Sequence, residues 1–306
     1  MPSLKEVRNK IVSTRNMQKI TKAMKVVSAA KLRKAQQRII QMRPYAEKLQ
    51  EMLSHLSGST EGSDAAKFFD NRPVNKVLVI AITSDSGLAG SFNSSILKDS
   101  IQLIKKTYAE QYNSKNVDVL AVGKKSAAFF KKNSYKVIQE HTTLFKNLDY
   151  AASEEIAAFI INQFVNKNYD AVDLVYNRFK NAAVYIPTTE RFLPVPVAVE
   201  DDHKATANAH QGNAQKRPYS PDYIFEPSQE EILSRLIMQS LKTAFFRALL
   251  ESNTAEHGAR MTAMDKASEN AEELLNKYKL AYNKARQATI TKEILEIVGG
   301  AAALAG

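Results

Sequence analysis

Residues 228–306 read SQEEILSRLIMQSLKTAFFRALLESNTAEHGARMTAMDKASENAEELLNKYKLAYNKARQATITKEILEIVGGAAALAG, and this stretch decides the fold. Ser228 and Glu231 have the spacing of a capping box, and no proline follows them. The only glycine before Gly299 is Gly258, so the pattern predicts one continuous helix. About 70 residues at about 1.5 Å each form a rod about 105 Å long, several times the diameter of a compact domain. We therefore expect the helix to lie inside something larger.

The N-terminal segment predicts a second long helix. Ser3 and Glu6 form another capping box, and residues 4–56 contain no glycine. The second half has apolar residues at alternating intervals of three and four, which indicates a coiled-coil seam: Ile39, Met42, Ala46, Leu49, Leu53 and Leu56. Pro44 lies inside this pattern and lacks the N–H that a helix interior donates. We therefore expect a kink or a local break near Met42.

The pattern changes between the two helices. Strands are predicted at residues 77–83, 117–122, 135–139, 171–179 and 184–195, and helices at 92–112, at 124–132 and from about 153. Strands that alternate with helices indicate a small α/β layer sandwich. The predicted fold is therefore a long antiparallel coiled coil of the terminal helices with a small α/β, Rossmann-like domain. The predicted segments are a coiled-coil helix at 1–57, a linker at 58–75, the α/β domain at 76–199, a mobile loop at 200–227 and the long helix at 228–306.

The two long helices can pair only in antiparallel orientation, because the chain enters the domain from the first and leaves it into the second. The long helix offers these residues for a seam: Ala271, Leu274, Tyr278, Ala281, Ala285 and Ala288. Because the first helix is shorter by about 20 residues, we expect it to end near residue 281 of the second. The remaining tip carries KARQ at residues 284–287 and then an apolar end. A sleeve supplied by other chains would cover this tip, and a frayed terminus is the alternative.

Positive charge is concentrated in the first helix. The chain has a formal net charge of +11, and residues 1–56 hold thirteen Lys or Arg against three Glu. Three interpretations stay open: a nucleic-acid-binding helix, a helix that meets an acidic protein surface, and a solvated face without a partner. Residues 1–44 contain no aromatic residue that would stack on bases, which argues against nucleic acid.

The sequence contains no recognisable active site. GKKS at residues 123–126 is similar to the end of a P-loop, but the glycine required five positions earlier is Asp118. Gly87 and Gly90 follow a strand and precede a helix without the GxGxxG spacing of a dinucleotide loop, so a turn is favoured. The histidines lack metal-ligand spacing and fall in different elements: His55, His141, His203, His210 and His257. There is no cysteine, so thiol chemistry is excluded. We expect a non-catalytic chain without metal or cofactor.

Five blocks of sequence form a familiar pattern. They are QKITKAMKVVSAAK at 18–31, RPY at 43–45, SDSGLAGSFN at 84–93, EHGARMTAM at 256–264, and ITKEILE at 290–296 with GAAA at 300–303. In these blocks the chain resembles the gamma subunit of F-type ATP synthases over its whole length. Two residues depart from the family pattern: Ser86 stands where arginine is usual, and Gly258 where alanine is common. The absence of the cysteine-bearing insertion of chloroplast members favours a bacterial version.

The resemblance implies a central rotor shaft. In that family the coiled coil occupies the bore of a hexamer of alpha and beta subunits, while the α/β domain and the epsilon subunit sit on the membrane ring of c subunits. The shaft couples proton flow through the ring to ATP synthesis or hydrolysis at the beta subunits and contributes to regulation of ATPase activity. The resemblance also implies a peripheral position at the cytoplasmic face of the bacterial inner membrane, without nucleic acid.

The resemblance assigns partner contacts to five residues. The family's contact with the beta catch loop matches Arg286, Gln287 and Thr291, and its contact with the beta acidic lever falls at Met24 and Lys25. An acidic lever would account for the charge of the first helix. The alternative hypothesis is a basic coiled-coil adaptor that binds nucleic acid.

Overall fold

The computed structural model describes residues 3–56, 67–70, 72–195 and 228–305. The loop predicted at residues 200–227 lies outside these residues. The chain divides into two compact units, one of Met1–Lys31 with Arg260–Gly306 and the other of Leu32–Ala259. This division cuts through both long helices, so the segment limits given above stay predictions.

The first predicted helix is confirmed as α1, Leu4–Leu56. Its predicted cap is formed, because the Glu6 N–H donates a hydrogen bond to Ser3 Oγ at 3.2 Å. The helix continues through Pro44 and does not break there. Proline in a helix interior costs about 3 kcal/mol through the lost hydrogen bond and the clash with the preceding turn. Met42 packs on the core and Leu49 is buried, so apolar contacts on both sides of Pro44 offset that loss.

A five-stranded sheet with the order β3-β2-β1-β4-β5 forms the centre of the second unit. The strands are β1 (Val77–Ile82), β2 (Val117–Val122), β3 (Lys136–His141), β4 (Ala171–Phe179) and β5 (Tyr185–Leu193). The helices after α1 are α2 (Phe92–Gln102), α3 (Ala109–Asn113), α4 (Lys124–Lys132), α5 (Tyr150–Val165) and α6 (Gln229–Ala305). Strands β1 to β4 are parallel, and β5 is antiparallel to β4. This is the predicted Rossmann-like α/β class with two long terminal helices.

One predicted helix differs in the structure. The helix expected at residues 92–112 contains a π-helical turn at Leu103–Thr107, after which α3 begins. The side chains buried along this segment recur every four residues, at Ile96, Ser100, Ile104 and Tyr108. An α-helix has about 3.6 residues per turn and would rotate such a row away from the sheet, whereas one wider turn keeps the row in line.

Apolar side chains cover both faces of the sheet. Ile96 of α2 and Phe130 of α4 belong to the core on one face. The core on the other face includes Phe164 of α5 and Phe245 of α6, and both are fully buried. Burying one such side chain stabilises a fold by about 1.5–3 kcal/mol. The first part of α6 is therefore a component of the domain core as well as a part of the long helix.

The segment predicted as a linker contributes to the same core. Phe68 is 5% exposed, and its C=O accepts a hydrogen bond from the Val195 N–H at 2.9 Å. Arg72 donates a hydrogen bond from Nε to Asp170 Oδ1 at 2.6 Å. The chain is therefore fixed to the domain before β1 begins.

Candidate functional site

Within the first unit, the N-terminal part of α1 and the C-terminal part of α6 pair in antiparallel orientation, as predicted. Among the described residues, the side-chain pairs that join them include Gln18 with Glu272 at 3.3 Å, Thr21 with Ser268 at 2.7 Å, and Lys25 with Asp265 at 2.5 Å. Both helices rise by the same distance per residue, so the same pairing continued toward the start of α1 brings Leu4 level with about residue 285 of α6. The predicted end of the pairing, near residue 281, lies about one turn away.

The seam of α6 is partly the predicted one. Ala271, Tyr278 and Ala285 face the seam as expected, but Leu274, Ala281 and Ala288 are exposed, and their assignment was wrong. The inward positions alternate at intervals of four and three: Met264, Ser268, Ala271, Leu275, Tyr278, Tyr282, Ala285 and Thr289. The predicted and the observed seam share every second position and differ by one residue at the positions between. In a helix rich in alanine, the sequence pattern gives little basis for choosing between the two.

The seam of α1 is continuous with the predicted one but polar near the N-terminus. Ile39, Met42, Ala46 and Leu49 face inward as predicted, whereas Leu53 and Leu56 have no described side chains. The same spacing continues toward the N-terminus through Ser28, Lys25, Thr21, Gln18 and Thr14. Thr21 and Ser28 are buried, with 5% and 3% exposure. Polar groups in a coiled-coil seam fix the register of the two helices, because a shifted register would leave these groups without partners.

The last part of α6 exposes apolar side chains. Every residue from 291 to 301 is exposed in this chain. The exposed apolar residues include Ile290, Ile294, Leu295, Ile297 and Val298, with exposures from 46% to 71%. Contiguous apolar surface of this kind marks an interaction site or an aggregation hazard.

The five residues assigned by resemblance fall into two groups. Met24 and Lys25 are half-buried beside α6, and Lys25 is bound to Asp265. Arg286, Gln287 and Thr291 are exposed near the end of α6, where Thr291 Oγ1 donates a hydrogen bond to the Gln287 C=O at 2.9 Å. The distance along α6 from Asp265 to Arg286 is about 30 Å. The two groups therefore lie apart on one coiled coil.

The hydrogen bonds between the end of β2 and the start of α4 explain why GKKS is not a phosphate loop. The Lys124 N–H donates a hydrogen bond to Asp85 Oδ1 at 3.1 Å, and the Ser126 N–H donates one to Thr83 Oγ1 at 2.8 Å. The Lys125 N–H donates one to the Ser84 C=O at 3.3 Å. Burial raises the pKa of the Asp85 carboxyl above its usual value. The N–H groups that would hold a phosphate are bonded to the chain's own β1 loop.

The crevice beside β1, where doubly wound sheets commonly bind ligands, is filled by α6. Ala255 and Ala259 of α6 form a buried cluster with Ala89 and Phe92. Phe92 also contacts Tyr185 edge to face, with ring centroids 5.8 Å apart. In the part of the chain that the structure describes, no group of three or more His, Asp or Glu could hold a metal ion.

Comparison with known proteins decides the family. The sequence model of the family described as ATP synthase matches residues 3–304. The chain is 47% identical to the ATP synthase gamma chain of Cytophaga hutchinsonii over 99% of both sequences. It is 48% identical to that of Flavobacterium johnsoniae over 100% of both. The chain belongs to the ATP synthase gamma chain family.

Solved structures from ATP synthases have a similar fold. A chain of the Tetrahymena thermophila mitochondrial ATP synthase central stalk and c-ring is 25% identical, with a TM-score of 0.56, and 81% of this chain and 99% of that chain are covered. A chain of the Euglena gracilis mitochondrial ATP synthase rotor is 19% identical, with a TM-score of 0.61 and coverage of 94% and 98%. None of these gamma-chain and central-stalk relatives supports the nucleic-acid hypothesis.

The structure gives a local reason for one departure from the family pattern. A Cβ atom at Gly258 would lie 2.8 Å from the C=O oxygen of Ala182, in the turn between β4 and β5. At Ser86, the backbone C=O accepts a hydrogen bond from Ser84 Oγ at 2.6 Å. This contact would be available to any residue at position 86, so nothing in it requires serine.

The sequence patterns did not predict two buried polar networks in the sheet domain. Asp173 on β4 accepts hydrogen bonds from the Tyr108 hydroxyl and from Arg191 Nε, the latter at 2.6 Å. Asp118 on β2 accepts one from the Tyr169 hydroxyl at 2.7 Å and is 1% exposed. Burial, followed by the adjacent carboxylate, raises the pKa of both tyrosines. A charged residue inside an apolar strand, as in VDVLAV, was the signal that could have indicated these networks.

Proposed function

We propose that this chain is the central rotor shaft of a proton-translocating F-type ATP synthase. As a non-catalytic subunit, it couples proton flow through the c-subunit ring to ATP synthesis or hydrolysis at the beta subunits and contributes to the regulation of ATPase activity. The exposed apolar end of α6, beyond the end of α1, is the observation that carries this proposal. A single helix with this surface needs a surrounding protein sleeve, which the bore of an alpha-beta hexamer supplies.

The coiled coil has the properties that a shaft requires. Its polar contacts, among them the buried pair of Thr21 and Ser268, oppose sliding of one helix along the other. Two unequal helices have no threefold symmetry, so three surrounding beta subunits would each meet a different face. Rotation of such a shaft would take each catalytic site through different states in turn.

We assign the contact with the beta catch loop to Arg286, Gln287 and Thr291. All three are exposed where α1 begins and α6 continues beyond it: Arg286 and Gln287 lie level with the first residues of α1, and Thr291 lies past them. A guanidinium can bind a carboxylate or two carbonyl groups through parallel hydrogen bonds. In this proposal the beta catch loop binds these residues once in each rotation.

We assign the contact with the acidic beta lever to Met24 and Lys25. The Lys25 side chain is 42% exposed while it binds Asp265. Exposed ion pairs contribute about 0–1 kcal/mol, so the carboxylates of an acidic beta lever can compete with Asp265 for Lys25. The lever would then exchange contacts with the shaft at low cost as the shaft turns.

We place the chain peripherally at the cytoplasmic face of a bacterial inner membrane. No helix among the described residues has an apolar stretch long enough to cross a bilayer. In this arrangement the sheet domain and the epsilon subunit rest on the ring of c subunits. Contact with the membrane sector is then made through other subunits.

Co-expression with the alpha and beta subunits tests the proposal. A tagged chain should recover both subunits in a stable complex, and a bead on the chain should turn in one direction when ATP is added. Recovery of duplex nucleic acid without the two subunits, with binding that weakens steeply as salt rises, would show that the proposal is wrong.

A further inference from the structure

The turn between β4 and β5 lies against α6 at Gly258. A Cβ atom at this position would approach the Ala182 C=O oxygen to 2.8 Å and the Ala182 Cα to 3.7 Å. Glycine is among the least favourable residues in a helix interior, yet it stands here within a helix of 77 residues. Its place is explained by the backbone of the turn, which occupies the space of a side chain.

The turn is held in shape by its own hydrogen bonds. Asn181 Oδ1 accepts hydrogen bonds from the Ala183 N–H at 3.0 Å and from the Val184 N–H at 2.8 Å. The Lys180 N–H donates to the Val184 C=O at 3.3 Å. The atom that faces Gly258 is thus a backbone oxygen in a fixed turn, which cannot rotate away as a flexible side chain could.

Small residues on α6 extend this contact. Ala255 and Ala259 are buried against Phe92, with Tyr185 packed beside them. The Tyr185 hydroxyl lies 2.7 Å from Ser91 Oγ, so the ring is held from its far end. We call Asn181, Ala182 and Gly258, with this alanine cluster, the hairpin clamp.

A second contact joins α6 to the domain closer to the start of the helix. Gln239 Nε2 donates a hydrogen bond to the Tyr150 hydroxyl at 2.8 Å, and Lys242 Nζ donates one to Glu154 Oε1 at 2.8 Å. The distance along the helix from Lys242 to Gly258 is about 24 Å. Apolar side chains of α6 from Leu233 to Leu250 pack on the domain core as well, and the hairpin clamp extends this support farther along the helix. A longer support resists turning of the helix against the domain more strongly.

We propose that the hairpin clamp is a torque-bearing contact between α6 and the sheet domain, with Gly258 and Asn181 as positioning residues. This inference rests on the proposed function, because torque passes between helix and domain only if the chain is a rotor. The clamp stiffens the connection between the shaft and the part of the rotor that meets the membrane ring. Alanine at position 258 would force the turn away from the helix and weaken that connection.

Single-molecule stiffness in the complex with alpha and beta subunits tests the clamp. A bead is attached either to the sheet domain through Lys106→Cys or to α6 through Arg235→Cys, since both positions are exposed and the chain has no other cysteine. Gly258→Ala and Asn181→Ala should increase the variance of bead angle at the sheet-domain position by up to about twofold, because variance is inverse to stiffness and the support of α6 by the domain is shortened. The variance at the α6 position should stay unchanged.

Asn133→Ala is the matched control. Asn133 is also an exposed asparagine bonded to backbone, with Nδ2 donating to the Phe129 C=O at 2.8 Å, but it lies at the end of α4. This variant should leave both variances as in the unmodified chain. Asn181→Ala adds no bulk, so it decides the question if Gly258→Ala does not assemble.

The clamp proposal is wrong if variant and parent have equal variances at both bead positions. It is also wrong if the variance rises at both positions, because the weakened part would then be the helix itself. The proposed function fails separately, if the parent complex shows no ATP-driven rotation. If the parent complex rotates and the variants are as stiff as the parent, the clamp proposal is wrong and the proposed rotor function stands.

Discussion

The Thr21 hydroxyl lies 2.7 Å from Ser268 Oγ inside the seam between α1 and α6. Both residues are 5% exposed, so neither hydroxyl has water as an alternative partner. One hydroxyl donates to the other, and the accepting hydroxyl is free to donate to its own helix: Thr21 to the Gln18 C=O at 3.1 Å, or Ser268 to the Met264 C=O at 2.8 Å. The pair is therefore a small buried network that joins both helix backbones.

Loss of one hydroxyl from this pair should destabilise the chain. Ser268→Ala removes a partner of Thr21 and should lower the free energy of unfolding by about 1 kcal/mol, as expected for one lost buried hydrogen bond. Urea denaturation followed by circular dichroism measures the change. Ser114→Ala is the control, since its hydroxyl is exposed and bonds only the Glu110 C=O at 2.9 Å. A loss in the control as large as that in Ser268→Ala would contradict this account.

Arg286→Ala should reduce coupled turnover. The guanidinium is exposed at the end of the pairing with α1, where another subunit can bind it. Removal of a central arginine from an interface commonly costs at least about 2 kcal/mol, so we expect ATP synthesis to fall roughly tenfold or more. ATP synthesis by membranes that contain equal amounts of assembled enzyme is the measurement.

The control for Arg286 is Lys279→Ala. Lys279 is an exposed cation on the same helix, within the part paired with α1, and its loss removes the same charge. Synthesis should remain near the parental rate with this variant. If both variants reduce synthesis equally, the effect comes from net charge and the assignment of Arg286 is lost.

Local patterns were sufficient to predict most elements. β2, α4 and β4 have the predicted limits, because apolar runs are bracketed by turn residues. α5 begins earlier than expected because Asp149 Oδ1 accepts a hydrogen bond from the Ala152 N–H at 2.8 Å. An acidic cap separated from the first apolar residues by alanines is difficult to distinguish from a loop.

Contacts between distant segments were not predictable from these patterns. The α6 seam includes Leu275 instead of Leu274, and both residues are leucine, so only packing against α1 decides between them. The filling of the sheet crevice by Ala255 and Ala259 depends on how the sheet meets a helix that begins only after the last of its strands. Periodicity gives the buried face of an element but not the partner that covers it.

The buried tyrosines should make the fold sensitive to alkali. Burial and Asp173 raise the pKa of Tyr108, so the neutral phenol is favoured in the folded chain. Its stabilising contribution is fully present below the ordinary tyrosine pKa of about 10 and is lost as pH rises above it. Between pH 10 and 11 the parent should lose up to about 1.4 kcal/mol more than Tyr108→Phe.

Denaturant titrations of parent and Tyr108→Phe at matched pH values measure this difference. Lysines deprotonate over the same range in both proteins, so their effect cancels in the comparison. Parallel pH profiles for the two proteins would show that Tyr108 does not titrate differently in the folded and unfolded chain.

Gly123 should be intolerant of substitution for a reason unrelated to ligand binding. Its φ is +96°, and a Cβ atom would lie 2.2 Å from the Thr83 C=O oxygen. Gly123→Ala should therefore lower the free energy of unfolding by at least about 3 kcal/mol, through backbone strain and overlap with β1. Gly87→Ala is the matched control, since its Cβ would meet only the end of the Lys125 side chain at 3.9 Å. Thermal and urea denaturation of the ligand-free chain compare the two. A glycine kept only to admit a phosphate would accept alanine in that experiment, so near-parental stability of Gly123→Ala would reopen the phosphate-loop interpretation of GKKS.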